Sequence, residues 1–231
     1  AVWNDHAGNG ITVKDIHDRL FPALQTLSAK CWTGAATSFS FEDFNRLRLS
    51  LSEAPAVNEA ARWQKGKQLR IETLNPGQTT GEKEVGYGYR VEFTIEGADE
   101  PKGTVLFSSD NATFYLSDPE SGQLGFAHEG YLNKFNYRIE KGKKVTLAIT
   151  GDNRKTCLYV DGKLREELGP VTLYAMLPKD LATFQKSDAT ATQPIVYNPS
   201  AKMHYQRTLV FPLQKAGDFK SRITGVKVEQ K

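Results

Sequence analysis

Over roughly the first 60 residues, apolar positions recur at spacings of three and four. Ile16, Leu20, Leu24, Leu27 and Cys31 fall on one stripe, the pattern of an amphipathic helix with one buried face. Thr12 followed by Asp15 resembles a capping box, with Asp in place of the usual Glu. Pro22 lacks an N–H and is expected to kink this helix or split it in two. A second helix start follows, with Ser40 as N-cap, Asp43 at the third helical position, and Phe39 and Phe44 placed as a hydrophobic staple. That helix is expected to reach about Ser52, with Pro55 just beyond it.

From about Gly66 the period changes from 3.6 to 2. Val91, Phe93 and Ile95 alternate with Arg90, Glu92, Thr94 and Glu96. The alternation returns at Phe114 and Leu116, at Leu124 and Phe126, at Phe135, Tyr137 and Ile139, and at Val145, Leu147 and Ile149. It continues through Tyr205, Leu209, Phe211 and Leu213, then Val226 and Val228. Turn signals separate the runs: Ser109-Asp110-Asn111, Asp118 to Gly122, Lys141-Gly142, Gly151-Asp152-Asn153 and Asp161-Gly162. Many short strands at this spacing predict an antiparallel β-sandwich. Asp161-Gly162 is a strong hairpin signal, because such a turn needs positive φ. Between Pro178 and Met203 the periodicity is weak and three prolines occur, so this stretch is left without an assignment. The expected organisation is therefore helical over residues 1–62 and a sandwich over 66–231, with the change near Ala61 to Lys67.

Composition narrows the picture only slightly. A hydrophobic fraction of 39% suits a packed core and is too high for a disordered chain. The net charge of +3 is mild and the lysines are interleaved with acids, which reads as a solvated face and not as a nucleic-acid groove. No apolar run approaches the length of a membrane span. Cys31 and Cys157 read as two small buried hydrophobes, with a disulfide between them as the lesser alternative. Neither CxxC nor HExxH nor a His/Cys cluster occurs, so no zinc site is expected. No other cofactor is implied.

The opening, "AVWNDHAGNGITVKDIHDRL", reads as a strand, a polar turn and a helix. One such unit cannot bury its own faces, since a parallel strand needs neighbours on both sides. The expectation is a preceding α/β body of which this is the last strand. The alternative is a helical hairpin that packs on the sandwich. In a (β/α)8 barrel, functional groups project from the C-terminal ends of strands, where Trp3 and Asp5 would sit. An indole can stack on a pyranose ring and a carboxylate can accept from its hydroxyls. A core Trp beside an Asp that steadies the Gly8-Asn9-Gly10 loop explains the same residues.

The stretch "AVWNDHAGNGITVKDIHDRLFPALQTLSAKCWTG", followed by "SFEDF", resembles the end of the catalytic barrel of β-N-acetylhexosaminidases, with Trp3, Asp5 and Trp32 at the matching positions. The resemblance covers about a quarter of the chain. It implies a glycoside hydrolase that removes terminal N-acetylhexosamine by substrate-assisted hydrolysis, with Trp3 walling the sugar pocket and Asp5 bonding hydroxyls on the far side of the sugar. Many relatives carry Glu where Asp5 stands, which leaves the sugar epimer open. The family's catalytic Asp–Glu pair has no counterpart in this segment, so no catalytic residue is assigned and the chain alone is expected to be inactive. The resemblance also implies work outside the cytoplasm, in the periplasm or extracellular space, with a glycan and the preceding barrel as partners. "KKVTLAITGDNRKTCLYVDGKLREEL" resembles concanavalin A-like or laminin G-like sandwiches, which implies a fold and leaves the activity open.

Three roles follow for the sandwich and its parent: an enzyme's C-terminal part, a carbohydrate-binding module, or a structural buttress with a fixed joint near Trp63. For the second, Tyr131 and Tyr197 are the candidate glycan contacts, because Gly130 and Pro199 place them near turns. Tyr87, Tyr89, Tyr115 and Phe184 read more simply as strand residues. Asp110, Asn111, Asp118, Asp152 and Asn153 could supply calcium oxygens but are also ordinary turn residues. The adjacent Asp99-Glu100 reads as a solvated turn, and His6, His17, His128 and His204 receive no catalytic role.

Overall fold

The computed structural model describes residues 13–34, 40–50, 63, 65–128, 131–178, 195–205 and 207–231. Helix α1 spans Val13–Thr33 and α2 spans Phe41–Ser50. Of the two outcomes expected at Pro22, a kink or a split, the split does not occur: α1 continues through it as one element. Proline removes a single amide bond, and the next turn is tied by Thr26 Oγ1 donating to the Pro22 carbonyl at 2.8 Å. At α2 the cap forms as expected: the Asp43 amide donates to Ser40 Oγ at 3.1 Å, and Ser40 Oγ donates to Asp43 Oδ2 at 2.8 Å. Thr12 and Phe39 lie outside the described residues, so neither the first capping box nor the staple is observed.

The α1 stripe differs from its expectation. Leu24 is 43% exposed, Leu27 59% and Trp32 88%, and Cys31 is exposed while Cys157 is buried, both as free thiols. Among the described residues nothing covers this face.

The remainder is strand. In chain order these are β1 (Gln68–Leu74), β2 (Glu84–Val85), β3 (Tyr89–Glu96), β4 (Thr104–Ser108), β5 (Ala112–Ser117), β6 (Gly125–His128), β7 (Tyr131–Lys134), β8 (Lys144–Gly151), β9 (Thr156–Val160), β10 (Lys163–Leu168), β11 (Val171–Pro178), β12 (Ile195–Tyr205), β13 (Phe211–Pro212), β14 (Lys215–Ala216) and β15 (Arg222–Gln230). One sheet has the order β1-β15-β3-β8-β9-β10 and the other β14-β4-β5-β6-β7. Every pairing is antiparallel. Val91, Phe93 and Ile95 of one sheet and Phe114, Leu116 and Phe126 of the other are all buried in one core, so the chain is an antiparallel β-sandwich. β2 pairs with β13, and β11 with β12, as separate two-stranded pieces. The stretch left unassigned from Pro178 thus has strand at both ends.

Alternation was a reliable guide where one strand face is buried. β3 reads buried-then-intermediate through seven positions, and β8 buries Val145, Leu147 and Ile149. The Asp161-Gly162 turn joins β9 to β10 with φ of 48° and 78°, the positive pair that such a hairpin needs. The strand expected over Phe135 to Ile139 is absent. After β7 the chain bulges at Asn136: the Phe135 amide donates to the Leu124 carbonyl at 2.9 Å, the Leu124 amide donates to the Tyr137 carbonyl at 2.8 Å, and the Tyr137 amide donates to the Phe135 carbonyl at 2.7 Å. Phe135 still enters the core, and Tyr137 and Ile139 pack against it.

The two sheets meet at an aromatic group centred on Phe211. Its ring lies 5.7 Å from Tyr89 in one sheet, and 6.3 Å and 5.1 Å from Phe107 and Phe114 in the other. Tyr89 fits because Gly151 opposite it has no side chain; a Cβ there would stand 2.4 Å from the phenol oxygen. Burial pushes the Tyr89 phenol pKa well above its ordinary value, and its hydroxyl has no hydrogen-bond partner among the described residues. Trp63 is also in this core. Its indole N–H donates to Glu82 Oε2 at 2.7 Å, and Lys67 Nζ lies 4.7 Å over the ring.

Two substitutions separate packing from polarity in this core. Phe211→Ala is expected to cost about 3–5 kcal/mol, the usual range for removing a buried aromatic ring. Tyr89→Phe is expected to be neutral or slightly stabilising, because it deletes a buried hydroxyl without a partner among the described residues. Denaturant unfolding followed by tryptophan fluorescence measures both. A loss above about 2 kcal/mol for Tyr89→Phe would contradict the packing described here.

Candidate functional site

A cleft of about 310 Å³ opens at the end of the sandwich where β5 finishes. Its floor is Leu116, Ser117, Gly122 and Ile139, and its rim carries Asp99, Glu100, Lys102, Arg138, Glu140 and Lys141. Three loops build it, and each is fixed by a different device.

The first loop follows β3. The Glu100 carboxylate is a clamp: Oε1 accepts from the amides of Lys220 and Ser221 at 2.8 and 2.7 Å and from Ser221 Oγ at 2.7 Å. Ser221 Oγ in turn accepts from the Ala98 amide at 2.9 Å. The Asp99-Glu100 pair is therefore not simply a solvated turn. Asp99 is exposed, whereas Glu100 ties its loop to the segment before β15.

The second loop, 118–123, is organised by Asp118. Oδ1 accepts from the amides of Glu120 and Ser121, both at 2.8 Å, and Oδ2 accepts from the Gln123 amide at 2.8 Å and from the Ser121 hydroxyl. Burial alone would raise the pKa of this carboxyl, but these donors outweigh it and hold the value below the ordinary one. Two cations close over the same turn: Lys102 Nζ donates to the Glu120 carbonyl at 2.7 Å and Arg138 Nη2 to the Ser121 carbonyl at 2.6 Å.

The third loop, 136–143, is zipped to the first. The Gly97 amide donates to the Lys143 carbonyl at 2.9 Å, and the Gly142 amide to the Gly97 carbonyl at 2.7 Å. This approach requires glycine at 97, since a Cβ there would lie 2.4 Å from the Glu140 carbonyl oxygen. The result is a preorganised cleft with apolar floor residues, carboxylates at Asp99, Glu100 and Glu140, and three cationic side chains. Its chemistry suits reversible binding of a hydroxylated ligand; no nucleophile–base pair lies in it.

The described tyrosines singled out from sequence lie away from this cleft. Trp3 and Asp5 fall outside the described residues. Tyr131 begins β7 opposite His128, which itself pairs with Ala112 at the start of β5. It is half-buried and stands at the other end of β5 from the cleft. Buried Glu84, His128 and Asn133 share that end, where Asn111 Nδ2 donates to the Glu84 carboxylate at 3.4 Å. Tyr197 is placed by backbone register in β12, opposite Met176. No strand pairing joins the β11–β12 piece to Tyr131. Two of the candidate calcium ligands are spent separately: Asp118 in its own turn and Asp152 Oδ1 on the amides of Arg154 and Lys155. Among the described residues no three of His, Cys, Asp and Glu gather as a metal site. Cys157 is buried in β9, and burial followed by the neighbouring Glu167 pushes its thiol pKa up.

No family model and no curated protein matches this chain. Among solved structures it is similar to domain 4 of a GH43 extracellular arabinanase from Geobacillus stearothermophilus in complex with arabinotriose. There the identity is 13% and the TM-score 0.33, over 71% of this chain and 66% of that one. It is also similar to a Caenorhabditis elegans galectin, at 8% identity and TM-score 0.38, over 69% of this chain and 95% of that one. A Trypanosoma rangeli sialidase matches at 15% identity and TM-score 0.30, over 63% of this chain and only 21% of that one. Likeness at this level carries no functional argument; the sandwich is defined by its own strand order and core. Among the described residues no helix is long and apolar enough to cross a membrane.

The Asp118 hub has a measurable consequence. Its folded-state pKa is depressed, so its contribution is full above the unfolded carboxyl value of about 3.9 and is lost as pH falls through the folded value. Asp118→Asn is expected to lower stability at pH 7 by about 2 kcal/mol. The gap between the two proteins should narrow as pH is taken below about 4. Urea unfolding at a series of pH values tests this; a gap independent of pH would rule out the charged hub.

Proposed function

We propose that this chain is the C-terminal part of a glycoside hydrolase that releases terminal N-acetylhexosamine, and that its sandwich is an accessory, glycan-binding domain. In this reading residues 1–62 supply the last strand and helices of a (β/α)8 barrel and residues 66–231 the accessory domain. The catalytic Asp–Glu pair belongs to an earlier barrel strand, and the chain by itself hydrolyses nothing. The protein works outside the cytoplasm, where such glycans are found.

The observation that carries the reading is the uncovered face of α1. Leu24, Leu27 and Trp32 lie on helical spacing yet face solvent, as does Phe41, 70% exposed at the start of α2. Between the two helices lies an apolar groove lined by Ala29, Phe41, Phe44 and Leu47 among others. The sandwich, by contrast, has a closed core of its own. Helices of this kind need a second body to cover them, and the final helices of a barrel would have one. The resemblance at Trp3, Asp5 and Trp32 points to the same body. Trp63, anchored in the sandwich core through Glu82, suits a fixed joint and favours a structural contribution alongside glycan binding.

Two measurements test the proposal. The chain alone is expected to self-associate through α1, with Leu27→Lys and Trp32→Lys together restoring a monomer in sedimentation; a wild-type monomer at high concentration would remove the argument from exposure. The parent polypeptide is expected to cleave an aryl N-acetyl-β-glucosaminide while residues 1–231 do not. On a glycan array the chain is expected to show saturable binding. Loss on Tyr131→Ala or Tyr197→Ala would place the contact there, and a flat array from folded protein would leave only the structural role.

A further inference from the structure

The cleft at the Ser117 end carries charges that the fold does not use. Lys102, Arg138 and Lys141 line it, and none of them makes an ion pair among the described residues. Lys102 and Arg138 each spend one donor on a carbonyl of the 118–123 turn, which leaves further N–H groups of a guanidinium and an ammonium for another partner. Three acids share the rim, but two are committed. Glu100 Oε1 accepts three donors from Lys220 and Ser221, and Glu140 pairs with Lys143 at 3.3 Å. The donors on Glu100 are neutral and leave its charge in place, so the balance facing the cleft is three cations against Asp99 and Glu100.

The remaining features limit what those cations can hold. The volume of about 310 Å³ is at the small end for ligand pockets, roughly 300–1,000 Å³, and suits one ring and not a chain. Leu116 and Ile139 give the floor an apolar surface for C–H groups. Asp99 accepts hydrogen bonds only, so it calls for a ligand that also donates, and it opposes a dianion such as phosphate. A ring with hydroxyl donors, apolar C–H faces and a single negative charge meets all four conditions.

We propose that this cleft binds a pyranose ring carrying a carboxylate, the acidic terminal unit of a glycan, with Arg138 and Lys141 holding the carboxylate and Asp99 accepting from ring hydroxyls. The inference rests on the reading of the sandwich as a glycan-binding domain and gives that binding a location and a charge. The loop devices support it: the Glu100 clamp, the Asp118 hub and the Gly97 approach fix all three walls before any ligand arrives, which lowers the ordering cost of a weak site.

The test compares two probes that differ only at one carbon, sodium glucuronate and glucose, titrated into residues 1–231 at low salt and followed by amide NMR. Glucuronate is expected to saturate and to shift resonances in 97–102, 117–122 and 136–141, with glucose at least tenfold weaker. Lys141→Ala and Arg138→Ala are each expected to weaken glucuronate at least fivefold. The Lys141 side chain makes no hydrogen bond among the described residues, so its variant reports charge alone even where Arg138→Ala loosens the 118–123 turn. Equal binding of the two sugars, shifts confined to other segments, or affinity unchanged in both variants would each overturn the proposal. Glycan capture on an array that survives both variants would remove the cleft and leave the glycan-binding reading standing. A flat array together with no glucuronate binding would remove both.

Discussion

The sandwich depends on one insertion. Phe211 belongs to neither large sheet, yet its ring touches Tyr89 of one and Phe107 and Phe114 of the other. Two twisted sheets leave space between them that their own side chains must fill at close to crystal density. Here a two-residue strand, paired only with β2, delivers the ring that fills it. Gly151 is part of the same arrangement, because Tyr89 occupies the volume that any side chain there would need. The position of β3 against β8, and thus the placement of the loop after β3, follows from this packing.

That loop is one wall of the cleft, and the other two are equally constrained. Their fastenings are polar and long-range in one case, local in another. Glu100 reaches across 121 residues to Ser221, whereas Asp118 bonds within five residues of itself. The cleft is therefore a product of the finished fold as much as of its turns. The opposite end of β5, with Tyr131, Glu84, His128 and Asn133, is built differently: its polar groups are buried within the sandwich and not arrayed on a rim.

The fold was legible wherever burial is one-sided. β3, β5 and β8 could be read because core and solvent alternate along them. β4 could not, since Leu106 and Phe107 are both buried where its register shifts against β5, and a bulge erases period two. Over Phe135 to Ile139 the alternation is real, but Asn136 bulges out between two bonds to Leu124, so apolar spacing survives without a regular ladder. The α1 stripe is a helix face as its spacing predicts, and it is exposed among the described residues, because pattern reports what a helix could bury and says nothing of what covers it. The cleft was the least legible feature. Its turn at Asp118 to Gly122 was visible, but Arg138 and Lys141 carry no local sign of facing it. Glu100 looked like half of a surface pair because its partners are distant in sequence.

β15 lies between β1 and β3 in the larger sheet, although it follows every other described strand in the sequence. Until residues 222–230 have left the ribosome, β1 has no neighbour and β3 lacks one of its two, so both present open hydrogen-bonding edges. Non-local pairing of this kind is slow to form and leaves edges available to other chains. A chain cut short before β15 would keep the facing edges of β1 and β3 open, and would be expected to pair with other chains instead of closing its own sheet.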